Sequence, residues 1–539
     1  MPRCGEPRLG RFDYDNRSVA GRWARPKAGL FRFTEGSLGI RISVADSTIL
    51  FVYLCVTLAL GIWIGRGSVT LSRYLVAGRD LPWWAVLGSI IATETSAVTF
   101  LSVPGLALAH GGDFGFLQLS IGLILGRLIV VVWFLPSYFR DEIYTAYDIL
   151  RDRFGGLTQR TSSTIFIVTR TVADGLRLYL TALVLGQVTG FGLTPCVLVI
   201  GVATMIYATM GGIRGVIWND CIQLVVYLAG AVVAVGVIAD KLPGGFGQIV
   251  SYGQETDRFV VLHPEWTLFS GNLWAGIVGG LFLAIATHGT DQMMVQRYLC
   301  SRGLKQARWA VALSGPLVAA QFALFLLVGV ALAAWFAHIG RPTPENLDEA
   351  FASFIVDRMP VGLCGLTLAA VFSVAMSTLS SSLSSSASAV VNDFMRRDLP
   401  AQRFMTGVVA EDNRLTRASR IWTVIFGLLQ MAVAILVIHS PSLVGVSVVH
   451  QVLTVAGFSS GLIVGIFLLG KSQRRFAQRS GLIGMLAAFV VTLLLVVPNP
   501  WLERPLYGWW SALIASLVCY FVAQIVDRLF PLRIEPADE

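Results

Sequence analysis

Residues 92–105 read Ala92-Thr93-Glu94-Thr95-Ser96-Ala97-Val98-Thr99-Phe100-Leu101-Ser102-Val103-Pro104-Gly105, in the middle of an apolar run long enough to cross a bilayer. A helix in lipid satisfies its own backbone, so small, hydroxylated and helix-breaking residues at that depth are tolerated only where protein or a water-filled cavity surrounds them. The stretch therefore reads as an interrupted span. A second interruption follows at Ala284-Ile285-Ala286-Thr287-His288-Gly289-Thr290-Asp291-Gln292. The two lie five spans apart and run in opposite directions, the arrangement of a transporter whose site sits at the interface of inverted repeats. The alternative is two helices whose polar kinks only pack.

The composition around these stretches fixes the solvent. With 55% hydrophobic and 14% charged residues and a mean hydropathy of +0.70, too little polar surface exists to face water. Apolar runs of about 20 residues recur from Asp46 to Pro531, giving about thirteen spans and an all-α integral membrane protein. They fall at 46–65, 82–110, 114–139, 162–188, 193–210, 215–240, 273–298, 306–338, 361–395, 416–439, 443–470, 480–497 and 507–530. The loops between them are too short for a separate soluble domain. The seven cysteines lack paired spacing and mostly sit in apolar runs, so small-hydrophobe packing is expected, without disulfide or metal cluster. The net charge of +9 comes from Lys and Arg between spans, which topology explains better than nucleic acid does.

Basic residues set the orientation. Arg66, Arg73 and Arg79; Arg140, Arg151, Arg153 and Arg160; Arg214; Arg302 and Lys305; Arg396, Arg397, Arg403 and Arg414; and Lys471, Arg474, Arg475 and Arg479 fall in alternate loops, which should be cytoplasmic. The loops at 111–113, 189–192 and 440–442 carry none. The N-terminus is then outside, the C-terminus inside, and the location is the inner (plasma) membrane. Residues 1–45 are Arg-rich and non-periodic, with no secretory signal, and are expected to be a disordered extension, perceived as an over-extended gene start.

The ninth span carries Ser377, Thr378, Ser380, Ser381, Ser382, Ser384, Ser385, Ser386 and Ser388, with Ser377, Ser380, Ser381 and Ser384 on one face. Hydroxyls and freed carbonyls can replace the water of a hard monovalent cation with little fixed charge. Close helix packing with serines bonded back to carbonyls is the competing explanation.

With these residues in view, the chain resembles the sodium:solute symporter family over about residues 46–470. The resemblance is carried by Ala92 to Phe100 with Pro104-Gly105, by Gly211-Gly212-Ile213-Arg214-Gly215-Val216-Ile217-Trp218-Asn219-Asp220-Cys221-Ile222-Gln223, by Gly289-Thr290-Asp291-Gln292 with Val295-Gln296-Arg297-Tyr298, and by the serine-rich span ending at Asn392-Asp393. It implies a five-plus-five inverted-repeat core: a first peripheral helix at 46–65, repeats at 82–240 and 273–470, and two peripheral helices at 480–530. It also implies a common sodium site from the carbonyls of Ala92, Thr95 and Val374 and the hydroxyls of Ser377 and Thr378. A second sodium site, present in some members, would take Asp220, Ser377, Ser380 and Ser381; Asp220 is otherwise an interfacial acid that never meets an ion. Sugar carriers of the family place an aromatic pair where this chain has Thr287 and His288, and some place an amide where it has Thr99, while Gln118 enters the third span near its outer side. The sialic-acid carriers look closer, with a hydroxyl-rich second span, here Ser96 and Thr99, that receives a carboxylate.

Glu94, Arg127, Arg170, Asp174 and Arg177 are too costly to leave facing lipid. Glu94 with Arg127, and Asp174 with Arg177, are expected to pair, leaving Arg170 or Arg177 for a carboxylate on the solute. The expected function is sodium-coupled import of a small polar organic solute (a sugar, sugar acid or other carboxylate) by alternating access, with no cofactor beyond the coupling ion and with lipid, sodium and solute as partners. A membrane sensor on a transporter-like fold and a proton-coupled carrier are the alternatives. No His-Glu-x-x-His, nucleophile elbow or phosphate loop argues for an enzyme.

Overall fold

The computed structural model describes residues 43–66, 70–140, 143–344, 347–396, 408–440, 461–472, 476–496 and 506–530. The expected extension up to residue 42, the first part of the eleventh span, and Arg397, Arg403, Arg474 and Arg475 lie outside the described residues. Among the described residues every regular element is helical, beside an isolated bridge between Leu81 and Ser301.

Helix α1 (Val44–Gly65) starts two residues before its expected bound, where the Ser43 side chain caps it by accepting from the Asp46 amide at 3.1 Å. Asp46 in turn accepts from the Gly362 and Gly365 amides, both at 2.7 Å, and so holds α1 to the start of the serine-rich helix. Helix α2 (Leu71–Val76) leads to α3 (Trp83–Glu94) and α4 (Ala97–Leu108), which are bent by 61° relative to each other. Helix α5 (Leu117–Tyr138) includes a π-helical stretch at Val130–Phe134. After α6 (Asp148–Phe154), α7 (Gly156–Thr189) carries the buried charges of the fourth expected span.

Helix α8 (Leu193–Asp240) runs for 48 residues and joins the fifth and sixth expected spans without a loop. At 1.5 Å per residue it is about 72 Å of helix, more than twice an apolar core of about 30 Å, so it must cross twice or bend. The bend is at Gly212, whose φ of 56° and ψ of −167° break the helix. A side chain there would meet Tyr74 Cδ2 at 2.9 Å, so both conformation and space require glycine.

The second half continues with α9 (Gly245–Glu255), α10 (Ala275–Thr290), α11 (Gln292–Leu299), α12 (Leu304–His338), α13 (Leu347–Arg358) and the serine-rich α14 (Leu363–Met395). Helices α15 (Val408–His439), α16 (Gly461–Gly470), α17 (Gln478–Val496) and α18 (Gly508–Leu529) follow. Eight of these helices are long and apolar enough to cross a membrane, and the bent α3–α4 pair makes a ninth. Helix α14 is buried along nearly its whole length and packs on α8, while α1 exposes Phe51, Val52, Val56 and Trp63. The polar residues that a lipid-facing helix could not carry thus sit at the centre, and the apolar ones at the rim.

Candidate functional site

The first break forms where Thr95 (ψ 118°) and Ser96 (ψ 165°) adopt extended backbone between α3 and α4. The Thr95 amide still bonds the Ile91 carbonyl at 3.2 Å, and the ladder resumes only with Phe100 N–H on the Ser96 carbonyl at 3.0 Å. Carbonyls at the end of α3 are thereby released from the helix, as the last turn of any helix leaves its acceptors without partners. Helix α14 supplies one: the Thr378 hydroxyl lies 3.1 Å from the Thr95 carbonyl and 3.3 Å from the Val374 carbonyl. Ala92, Thr95, Val374, Ser377 and Thr378 are all buried. The Thr95 hydroxyl is itself held by Gln321, whose Nε2 donates to it, and by the Tyr227 hydroxyl at 3.3 Å.

Ser377 turns the other way. Its hydroxyl donates to Asp220 Oδ1 at 2.6 Å, while Asp220 Oδ2 accepts from Ser89 at 2.5 Å, Thr93 at 3.3 Å and Arg297 Nη2 at 3.2 Å. Arg297 also donates to the Ser381 hydroxyl and, through Nε, to Ser89 at 2.9 Å. Asp220, Ser377 and Ser381 are therefore brought together, with a guanidinium among them. The Ser380 hydroxyl bonds the Ser377 carbonyl at 3.1 Å on the same helix. Arg297, Ser89, Gln321 and Tyr227 carry no role in the reading of the sequence; the signal for Arg297 is a second intramembrane charge that needs an acid at its own depth.

The second break lies at Asp291 (φ −78°, ψ 123°), which also caps α11 by accepting from the Met293 amide at 2.8 Å. Glu94, at the end of α3, pairs with Arg127 as expected and has its Oε2 3.6 Å from His288 Nε2 in α10, so the two breaks face one another. His288 Nδ1 is 2.8 Å from the Tyr298 hydroxyl.

The basic residues reserved for a solute carboxylate are already paired. Arg170 donates to Asp291 at 2.5 Å and lies 3.9 Å from Asp174, while Arg177 pairs with Asp174. The expectation of an unpaired arginine is corrected: Asp291, in the break of the other half, neutralises Arg170 across 121 residues of sequence. Ser96 caps α4, accepting from the Thr99 amide at 3.3 Å, and its hydroxyl is 3.3 Å from that of Thr99. Gln118 is committed to backbone, with Nε2 on the Gly115 carbonyl at 3.0 Å and Oε1 on the His263 amide at 2.8 Å. Thr287 bonds back to the Leu283 carbonyl at 2.9 Å.

A broken helix against a serine-rich one, with oxygens of both within bonding distance, is matched by comparison with known proteins. The model of the sodium:solute symporter family matches residues 74–488. The chain belongs to the sodium:solute symporter family. Among its relatives, the sodium/sialic acid symporter NanT of Aliivibrio fischeri is 29% identical over 478 residues, covering 88% of this chain and 92% of that protein. The sodium/sialic acid symporter SiaT of Proteus mirabilis is 27% identical over 449 residues, covering 83% and 88%. The solved structure of a substrate-bound, outward-open Na+-coupled sialic acid symporter superimposes with a TM-score of 0.79 at 26% identity, covering 90% of this chain and 98% of that one. As a member of this family the protein is an integral membrane transporter, and its activity is sodium-coupled symport of a small solute.

Proposed function

We propose that sodium binds between the α3–α4 break and α14, coordinated by the carbonyls of Ala92, Thr95 and Val374 and the hydroxyls of Ser377 and Thr378. The observation that carries this reading is Thr378 Oγ1 within 3.3 Å of both the Thr95 and the Val374 carbonyl, three oxygens from two helices on one spot. A hard monovalent ion needs such uncharged oxygens. The core is read as two inverted five-span repeats, at 82–240 and 273–470, within about thirteen spans. The helix at 46–65 and the pair at 480–530 are peripheral, and loops rich in arginine face the cytoplasm.

Asp220 with Ser377, Ser380 and Ser381 forms a second cation site in this reading, with the Arg297 guanidinium standing where a second sodium ion would compete for Asp220. The two sites share Ser377, so filling one biases the other.

The solute is a small polar organic molecule bound between the two breaks, near Ser96, Thr99, Thr287, His288 and Arg170; Gln118 and Arg177 support this region through the loop and through Asp174. The sialic acid relatives favour a carboxylate-bearing sugar acid. Such an anion would have to take Arg170 from Asp291. No enzymatic step is assigned. Uptake into proteoliposomes tests the class of coupling: accumulation driven by an inward sodium gradient, absent with potassium or with a pH gradient alone, is the expected result. Accumulation driven by protons without sodium would reject it.

A further inference from the structure

A cavity of about 870 Å³ opens on the side of the bundle between α1 and the second half of α8. Leu60 and Ile64 of α1 form one wall and Ile222 and Val225 of α8 the other, while Arg73 and Arg214 contribute guanidinium groups. The walls suit hydrocarbon. Two arginines do not, unless they sit at headgroup depth with an anion to meet.

Two observations put them at that depth. Trp63, on the cavity wall, is 67% exposed, and the half-exposed Trp84 packs edge-on against Trp218 with ring centres 5.3 Å apart. Exposed tryptophans gather at the membrane–water interface. The surrounding charge is also in excess of one sign. Arg214 shares Asp80 at 3.2 Å, and Arg66 and Arg73 are exposed beside it, so a single acid faces three guanidinium groups. Arg302 meets Asp80 through its carbonyl only, at 2.8 Å, and adds to the positive side.

We propose that this cavity binds one anionic glycerophospholipid, with the phosphate between Arg73 and Arg214 and an acyl chain along Leu60, Ile64, Ile222 and Val225. Charge complementarity selects the headgroup and the apolar walls select a lipid over a soluble phosphate. The site borders moving parts. Helix α1 lies against the Gly212 bend, where a side chain on Gly65 would meet the Met210 carbonyl at 2.3 Å, and Cys221 of the cavity adjoins Asp220. A bound lipid braces α1 against the segment of α8 that carries Asp220.

The test is native mass spectrometry of the full chain in detergent with added phosphatidylglycerol or phosphatidylcholine. Retention of one phosphatidylglycerol over phosphatidylcholine is expected, weakened roughly fivefold by Arg73→Gln and by Arg214→Gln, the factor typical of one arginine at a membrane surface. Ile222→Trp, which fills the groove and keeps both charges, should abolish retention. Glycerol phosphate alone should leave the melting temperature unchanged. Equal retention of both lipids, or phosphatidylglycerol retained undiminished in the arginine variants, would mean annular lipid only and overturn the proposal. Should Arg214→Gln fail to fold through loss of its bond to Asp80, Arg73→Gln and Ile222→Trp decide the outcome alone.

Discussion

The Arg297 guanidinium meets the Asp220 carboxylate at 3.2 Å, and both side chains are wholly buried. Removing one member of such a pair strands the other charge in low dielectric, at a cost of about 3–5 kcal/mol. Asp220→Asn should therefore lower the thermal stability of the purified protein strongly, and Asp220→Asn with Arg297→Gln should recover much of it. Thermal unfolding in detergent reads this directly; a single variant as stable as wild type would show that the pair is not an ion pair in the membrane protein.

The same pair bears on stoichiometry. If sodium displaces Arg297 from Asp220, two ions move with each solute, and each inward charge adds about 2.3 kcal/mol per 100 mV of membrane potential. Reversal potentials in vesicles should give two sodium ions per neutral solute in wild type and one in Asp220→Asn. A ratio of one in wild type, unaltered in the variant, rejects the second site and leaves the common one standing.

Arg170 and Asp291 make the solute testable. Asp291→Asn keeps an N-cap for α11, since asparagine caps as well as aspartate, yet removes the charge that holds Arg170 at 2.5 Å. An anionic solute should then bind several-fold more tightly by thermal shift or calorimetry. Unchanged or weaker affinity for sugar acids and carboxylates, with the fold intact, indicates that the arginine does not receive a carboxylate.

Which parts of this arrangement are legible in the sequence follows from the range over which the physics acts. The breaks at Thr95–Ser96 and Asp291 are legible because a polar run inside an apolar one is a local signal, and Glu94 with Arg127 because neighbouring spans share depth. Arg170 with Asp291 is not: 121 residues separate them, and only the packed bundle makes them neighbours. Arg297 likewise sits in a motif whose residues are visible while its partner, Asp220, depends on how α8 and α11 pack. The Gly211-Gly212 pair reads as a loop between spans, whereas the chain bends there within one continuous helix. Helices α9 and α13 are too short to register as spans.

At that bend, Gly212→Ala places a methyl group 2.9 Å from Tyr74 in a left-handed conformation. Strain of this kind costs about 1–3 kcal/mol. Yield and melting temperature should fall by a corresponding amount, whereas Gly236→Ala in the same helix, where a side chain would meet open space, should be nearly neutral. Equal effects at both positions would contradict the account of the bend.

The sodium concentration for half-maximal uptake, measured in proteoliposomes for wild type, Thr378→Ala and Ser377→Ala with Thr378→Ala, tests the central assignment most directly. Loss of Thr378 Oγ1, which lies within 3.3 Å of the Thr95 and Val374 carbonyls, should raise that concentration about tenfold or more, the effect of about 1.4 kcal/mol lost from ion binding. The double variant should raise it further. Wild-type sodium dependence in the double variant would remove the ion from the junction of the α3–α4 break and α14.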